Sequence, residues 1–150
     1  MSHEIKTLQI DILDVSRQLY SGSCLNVVAP AALGEVCIHP RHAPLLSRLG
    51  TGEVRMKKAD GTTLFYFVAG GFMEVSGDTV TILADRSLRS SEIDRQAALE
   101  ARQNAEFLLK TTPPLFSDRD AALIALSEAL IKLRILEHAE QGRFFTGHRY

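Results

Sequence analysis

The sequence predicts an α+β protein: a β-sandwich or barrel as far as about Asp85, then an antiparallel helical hairpin. Three observations point there. Short apolar–polar alternations recur through the first part of the chain, at the spacing of an all-β unit of many strands. After Ser91 the apolar residues recur every third or fourth position, as in helices. Thr111-Thr112-Pro113-Pro114 then divides that helical stretch in two.

In chain order, Thr7-Leu8-Gln9-Ile10-Asp11-Ile12 alternates as a half-buried strand does. Ser21-Gly22 predicts a turn. Leu25, Val27 and Ala29 alternate again before Pro30. The next strand carries Val36 and Ile38 and stops at Pro40. Pro40 and Pro44 each fix φ and remove a backbone donor, so the segment between them is a stiff loop. It carries His39, Arg41 and His42 and is expected to turn inward at Leu45 and Leu46. Val54-Arg55-Met56-Lys57 alternates once more. Asp60-Gly61 predicts a type I′ hairpin turn, with both residues at positive φ. Thr62 to Val68 is the return strand. Gly70-Gly71, inside a strand-like run, predicts a bulge or a close backbone approach. Phe72 to Val75 continues the strand, Ser76-Gly77-Asp78 turns it, and Thr79 to Ala84 ends the series.

Ser91 is the expected N-cap of the first helix, with Glu92 and Asp94 in its opening turn. Ile93, Ala97, Ala101, Ala105 and Leu109 fall on one face, where small side chains permit close approach of another helix. Ser117 to Asp120 repeats the start signal. Ala122, Leu126, Ala129, Leu133 and Leu136 form a seam at 4-3-4-3 spacing. Leu123, Leu130, Ile131 and Ile135 widen it beyond what one partner helix covers. Gly142 is the expected stop, with a frayed tail from Arg143 to Tyr150.

At 150 residues the chain fits one domain, or a compact domain with an appendage. A net charge of −1 gives no field that draws in nucleic acid or an anionic membrane. The start of the chain has no apolar signal core, and no apolar run reaches the ~20 residues that span a bilayer. The expected compartment is reducing, with Cys24 and Cys37 free and buried.

Catalytic signatures are missing. Ser21-Gly22-Ser23-Cys24 is not a nucleophile elbow, no G-x-x-x-x-G-K-[ST] phosphate loop occurs, and Glu35, Glu53 and Glu74 show no pairing. The one constellation with chemistry is C-x-H-x-x-H, formed by Cys37, His39 and His42. It offers three nitrogen and sulfur ligands but no fourth nearby in sequence. A small metal-binding β-sandwich enzyme is therefore the alternative to a binding or mechanical subunit with no catalytic residue, metal or cofactor.

Gly34-Glu35-Val36-Cys37-Ile38-His39-Pro40-Arg41-His42-Ala43-Pro44-Leu45-Leu46 resembles the G-E-x-G-x-x-P-x-H-A-P-L-L signature of the ε subunit of F-type ATP synthases, called δ in mitochondria. Cys37 stands where that signature has glycine. The resemblance extends through Tyr20-Ser21-Gly22, Val68 to Val75, Val80 to Asp85 and Leu133 to Glu137, in order along the chain. It implies a two-sheet sandwich over 1–87 and a regulatory helical hairpin over 88–150. It implies a non-catalytic subunit of the central stalk, or rotor, on the cytoplasmic face of the bacterial inner membrane. Such a subunit is peripheral and touches the membrane only through the complex. It couples proton translocation to ATP synthesis and restrains ATP hydrolysis. Its implied partners are the γ subunit, the c-ring and, through the C-terminal helices, the α/β catalytic head. Glu35, His39, Pro40, Arg41 and His42 correspond to docking positions for the c-ring and γ. Lys132 and Arg134 correspond to basic positions that contact the head. Many bacterial members carry an I/L-D-x-x-R-A motif that helps bind ATP. Ile93 and Asp94 match it, but Ala97 replaces its arginine and Asn104 a later basic position, so weak or no ATP binding is expected.

Overall fold

The protein is described here by a computed structural model that covers residues 4–114 and 117–146, with side chains as far as residue 142. Eight strands come first: β1 (Leu8–Asp14), β2 (Gln18–Cys24), β3 (Asn26–Ala31), β4 (Gly34–Ile38), β5 (Leu45–Arg48), β6 (Thr51–Lys57), β7 (Thr63–Ser76) and β8 (Thr79–Arg89). A 3-10 turn at Ser90–Glu92 leads into helices α1 (Arg95–Thr111) and α2 (Ser117–Thr146). The two-layer sandwich with a helical pair behind it is the predicted α+β class.

The strands are hydrogen-bonded in the order β2-β1-β8-β7-β6-β3-β4, and β5 pairs with the second half of β7. Among the described strands only the β1–β8 pair is parallel. Leu8, Ile10 and Ile12 of β1 share one buried cluster with Val27 and Ala29 of β3, although these strands are far apart in that order. The sheet therefore closes on itself around one core. The halves of β7 serve different layers: Thr63–Ala69 pairs with β6, and Phe72–Val75 pairs with β5. Between them lie Gly70 at φ 73° and Gly71 at φ 110°. The register with β8 is unbroken across them, so the two glycines are a close approach and not a bulge. A Cβ on Gly71 would lie 2.0 Å from the Leu83 carbonyl oxygen.

β7 is dense in aromatics because both its faces are covered. Tyr66 and Val68 enter the sandwich core. Phe67 and Ala69 face outward and receive Ile93, Ile135 and, at the margin, Ile131 and Leu136. Ile135 is fully buried there, a contribution of about 2 kcal/mol to docking α2 on the sheet. The wide apolar face of α2 thus serves two partners, α1 and β7. Leu123 and Leu130 stay exposed.

Several expectations are corrected. Ser21-Gly22 lies inside β2; the turn is earlier, where the Asp14 carboxylate accepts the backbone N–H groups of Ser16 and Arg17. Gly22 is small because the Tyr20 hydroxyl lies 2.8 Å from where its Cβ would be. Asp60 does not have positive φ; only Gly61 does, at 89°. Gly61 N–H donates to the Lys58 carbonyl and Lys58 N–H to the Thr62 carbonyl, a three-residue loop closed by a left-handed glycine. Leu46 points outward and is 71% exposed, while Leu45 packs on the core. Asp94, not Ser91, caps α1, its side chain accepting Ala97 N–H at 3.1 Å. Ala105 is buried as expected, but the other buried position of α1 is Ala98, one residue on from the expected Ala97. Helix α2 continues through Gly142 to Thr146. The rest of the tail, 147–150, lies outside the described residues. Cys24 is buried, which pushes its thiol up to about 11, but Cys37 is exposed; both are free.

Candidate functional site

The proline-braced loop between β4 and β5 is tied down at both its turn and its side. His42 N–H donates to the His39 carbonyl at 3.1 Å and closes a tight turn over Pro40 and Arg41. Arg41 is at φ 65°, the only non-glycine residue with positive φ among the described residues. Proline second and a left-handed residue third is the type II pattern, in which glycine is the usual third residue. The strain is held from outside: Arg41 N–H donates to Asp78 Oδ1, in the β7–β8 turn, at 2.8 Å. His42 Nδ1 lies 2.6 Å from the Ala43 carbonyl oxygen, so it is the protonated ring nitrogen. His39, Arg41 and His42 stand on this surface with Pro40 as brace.

Glu35 does not join them. It lies at the other end of β4, four residues and about 13 Å from His39 along an extended strand. There Arg55 Nη1 donates to Glu35 Oε2 at 3.0 Å and, more loosely, to Glu53 Oε1 at 3.4 Å. Glu53 is buried on β6, and its second oxygen accepts a hydrogen bond from His138 Nδ1 at 2.7 Å. These residues and Arg134 line a cavity of about 500 Å³ between the sandwich edge and α2.

The metal reading is not supported. Cys37 Sγ and His39 Nε2 are 3.3 Å apart, but the His42 ring is engaged with its own backbone neighbour. Among the described residues no group of three His, Cys, Asp or Glu side chains is placed to hold a metal.

Lys132 and Arg134 face different ways. The Lys132 ammonium lies 4.9 Å from the centre of the Phe67 ring, a cation–π contact with the sheet. Arg134 is exposed at the mouth of the 500 Å³ cavity. Ile93 is buried against Phe67 and Ile135, and Asp94 caps α1, so both have structural tasks. Beside them is a cavity of about 380 Å³, lined by Ala97, Ala101, Glu92, Asp94, Glu128 and Lys132 among others.

Other polar contacts had no periodic signal in the sequence. Arg17, before β2, clamps Glu92 with both guanidinium nitrogens, one at 2.7 Å, and Arg89 adds a 3.0 Å contact. The Arg17 guanidinium, more than any other group, holds the Glu92 carboxyl down to about 2. Arg86 pairs with Glu128, and Arg95 with Glu140.

Residues 7–90 match the family described as ATP synthase, Delta/Epsilon chain, beta-sandwich domain. The ATP synthase epsilon chain of Halorhodospira halophila is 44% identical over 134 residues, 89% of this chain and 94% of that one. That of Nitrosococcus oceani is 40% identical over 131 residues, 87% of this chain and 93% of its own. The chain belongs to the ATP synthase epsilon family. Its fold matches a chain of the Euglena gracilis mitochondrial ATP synthase at a TM-score of 0.65 and 17% identity, covering 90% of this chain and 80% of that one.

An epsilon chain is a non-catalytic subunit, in keeping with the lack of any catalytic motif in the sequence. Ala97 stands at the arginine position of the motif named above. The 380 Å³ cavity is lined by Glu92, Asp94, Glu128 and Lys132, with Glu92 paired to Arg17 and Arg89 and Glu128 to Arg86. A triphosphate needs fixed positive donors, and the alanines supply none.

Proposed function

We propose that this epsilon chain is the rotor-stalk subunit that ties the γ shaft to the c-ring of a bacterial F-type ATP synthase. It sits peripherally on the cytoplasmic face of the inner membrane, and α2 restrains ATP hydrolysis by the α/β head. Residues 1–87 are the docking unit and 88–150 the regulatory one.

The observation that carries this reading is the way α2 is held. Its grip on the sandwich is one small apolar cluster plus contacts that another surface could replace: Lys132 on Phe67, Glu128 with Arg86, His138 with Glu53. Leu123, Ile124 and Leu130 meanwhile remain exposed on the same helix. Moving α2 to a new partner exchanges one burial for another, so the two states can lie close in energy. Lys132 and Arg134 are then free for acidic segments of the head.

The sandwich transmits torque by being rigid. His39, Pro40, Arg41 and His42 offer a preorganised loop to the c-ring and γ, which lowers the ordering penalty of docking. Leu46, Phe72 and Leu83, all exposed on the outer face of β5, β7 and β8, supply an apolar patch for γ. Glu35 meets the c-ring from the other end of β4. The test is assembly of the rotor with Glu35→Gln and His42→Ala combined. Loss of γ and c-ring binding by a variant with wild-type circular dichroism supports the reading; normal assembly and proton pumping contradicts it.

A further inference from the structure

Helix α1 ends in a way that its own backbone does not complete. The Leu109 carbonyl would take the N–H four residues on, but that residue is Pro113, and Pro114 follows it. Thr112 N–H makes the last backbone bond, to the Leu108 carbonyl at 2.9 Å, and the chain then leaves the helix extended. Arg119, in the first turn of α2, supplies the missing donor. Its Nη1 donates to the Leu109 carbonyl at 2.7 Å and, more loosely, to the Thr112 carbonyl at 3.4 Å. We propose that Arg119 is the clamp that holds the helical hairpin shut, so that α2 leaves α1 to restrain hydrolysis only by giving up this bond.

Nothing in α2 itself accounts for a cation at this position. The first turn of a helix is the positive end of its dipole and favours anions. Asp118 and Asp120, on either side, meet that preference and are exposed. Arg119 is half-buried and turned back onto α1. The C-terminus of α1 is the negative end of the other dipole, where a guanidinium is favourable and adds to Lys110 in the last turn. A charged donor on a carbonyl, partly shielded from water, also makes one of the stronger hydrogen bonds.

The rest of the contact between the two helices is lightly held. Both buried residues of α1, Ala98 and Ala105, are alanines. Ala122 and Ala129 are buried on α2, while its Ile135 goes to the sheet. Each alanine buries little apolar area. Arg95 pairs with Glu140 further along the hairpin, but both side chains are exposed, and such pairs add little. A swing of α2 about the turn after Thr112 carries Arg119 away from Leu109, so every open arrangement breaks the clamp. This inference rests on the reading of α2 as a movable, restraining helix. Removal of residues 117–150 from the assembled complex tests that reading separately.

The experiment compares Arg119→Ala with Arg119→Lys. Both bonds come from one nitrogen, so a lysine ammonium can replace them in kind and alanine cannot. In hydrogen exchange of the isolated full-length chain, Arg119→Ala should speed exchange in the last turn of α1 and the first half of α2 by about tenfold. Amides of β1 and β8 should be unaltered, and Arg119→Lys should stay close to wild type. In the assembled complex, Arg119→Ala should hydrolyse ATP severalfold more slowly than wild type, with Arg119→Lys near the wild-type rate. A helix that was merely weakened would lose its hold on the head and raise the rate. Unaltered hairpin exchange in Arg119→Ala overturns the clamp. So does faster exchange with an unaltered or raised rate, where removal of residues 117–150 does change the rate. A removal without effect on the rate sinks the restraining role of α2 instead, and the exchange alone then decides the clamp.

Discussion

Asp78 Oδ1 accepts the backbone N–H of Arg41 at 2.8 Å, and Arg41 holds a left-handed conformation that arginine rarely adopts. The tether from the β7–β8 hairpin keeps the strained turn of the β4–β5 loop in place. Asp78→Ala should lower stability by about 1 kcal/mol and loosen the loop. Arg41→Gly removes a penalty of about 1 kcal/mol and should leave stability equal or slightly raised, while still removing a docking charge. Urea unfolding of both variants at pH 7 checks the two signs.

The glycines of β7 are expected to differ. Gly71→Ala would put a methyl 2.0 Å from a main-chain oxygen, at φ 110°. It should cost about 3 kcal/mol or more, since no side chain can move aside. Gly70→Ala would meet the Asp85 carboxylate, a side chain that can swing away, at φ 73°. It should cost less. Thermal or urea unfolding gives the ranking, and a larger loss at position 70 contradicts it.

Acid should weaken the junction between sandwich and helices. The Arg17 clamp holds Glu92 at about 2 in the folded chain, below the ordinary glutamate value of about 4.3. Asp14 is held lower still, chiefly by the Ser87 hydroxyl at 2.7 Å. A depressed folded value means that the unfolded chain takes up protons first. The stabilisation is complete above the unfolded value and is lost as pH falls through the folded one. Stability should thus decline from about pH 4.5 downward. Arg17→Gln should be less stable than wild type at pH 7 and converge on it near pH 2. Urea midpoints across that range measure the convergence.

ATP should not bind the isolated chain with sub-millimolar affinity. The motif arginine is Ala97, and the adjoining cavity carries three carboxylates and one lysine. Calorimetric titration should show no saturable heat. Saturable binding below a millimolar concentration means that phosphate donors come from elsewhere in the chain.

Much of this fold is legible in residue order, because period two and period three-or-four are direct consequences of strand and helix geometry. The alternations of β1 and β8 and the leucine positions of α2 read through plainly. Misreadings fell where a distant partner decides. Gly22 looks like a turn residue, yet it is small to admit the Tyr20 hydroxyl. Ser91 looks like a cap, yet the chain makes a 3-10 turn there because Glu92 is claimed by Arg17 and Arg89. The stiff turn of the loop was visible from the prolines. Asp78, Glu53 and His138 were not, since each acquires its meaning from a residue at least 37 positions away.

The most direct measurement is ATP hydrolysis by the assembled complex with and without residues 117–150 of this chain. With α2 removed, a sandwich that still binds γ should leave hydrolysis clearly faster than in the intact complex. An unaltered rate, with the truncated chain still bound, contradicts a restraining role for α2.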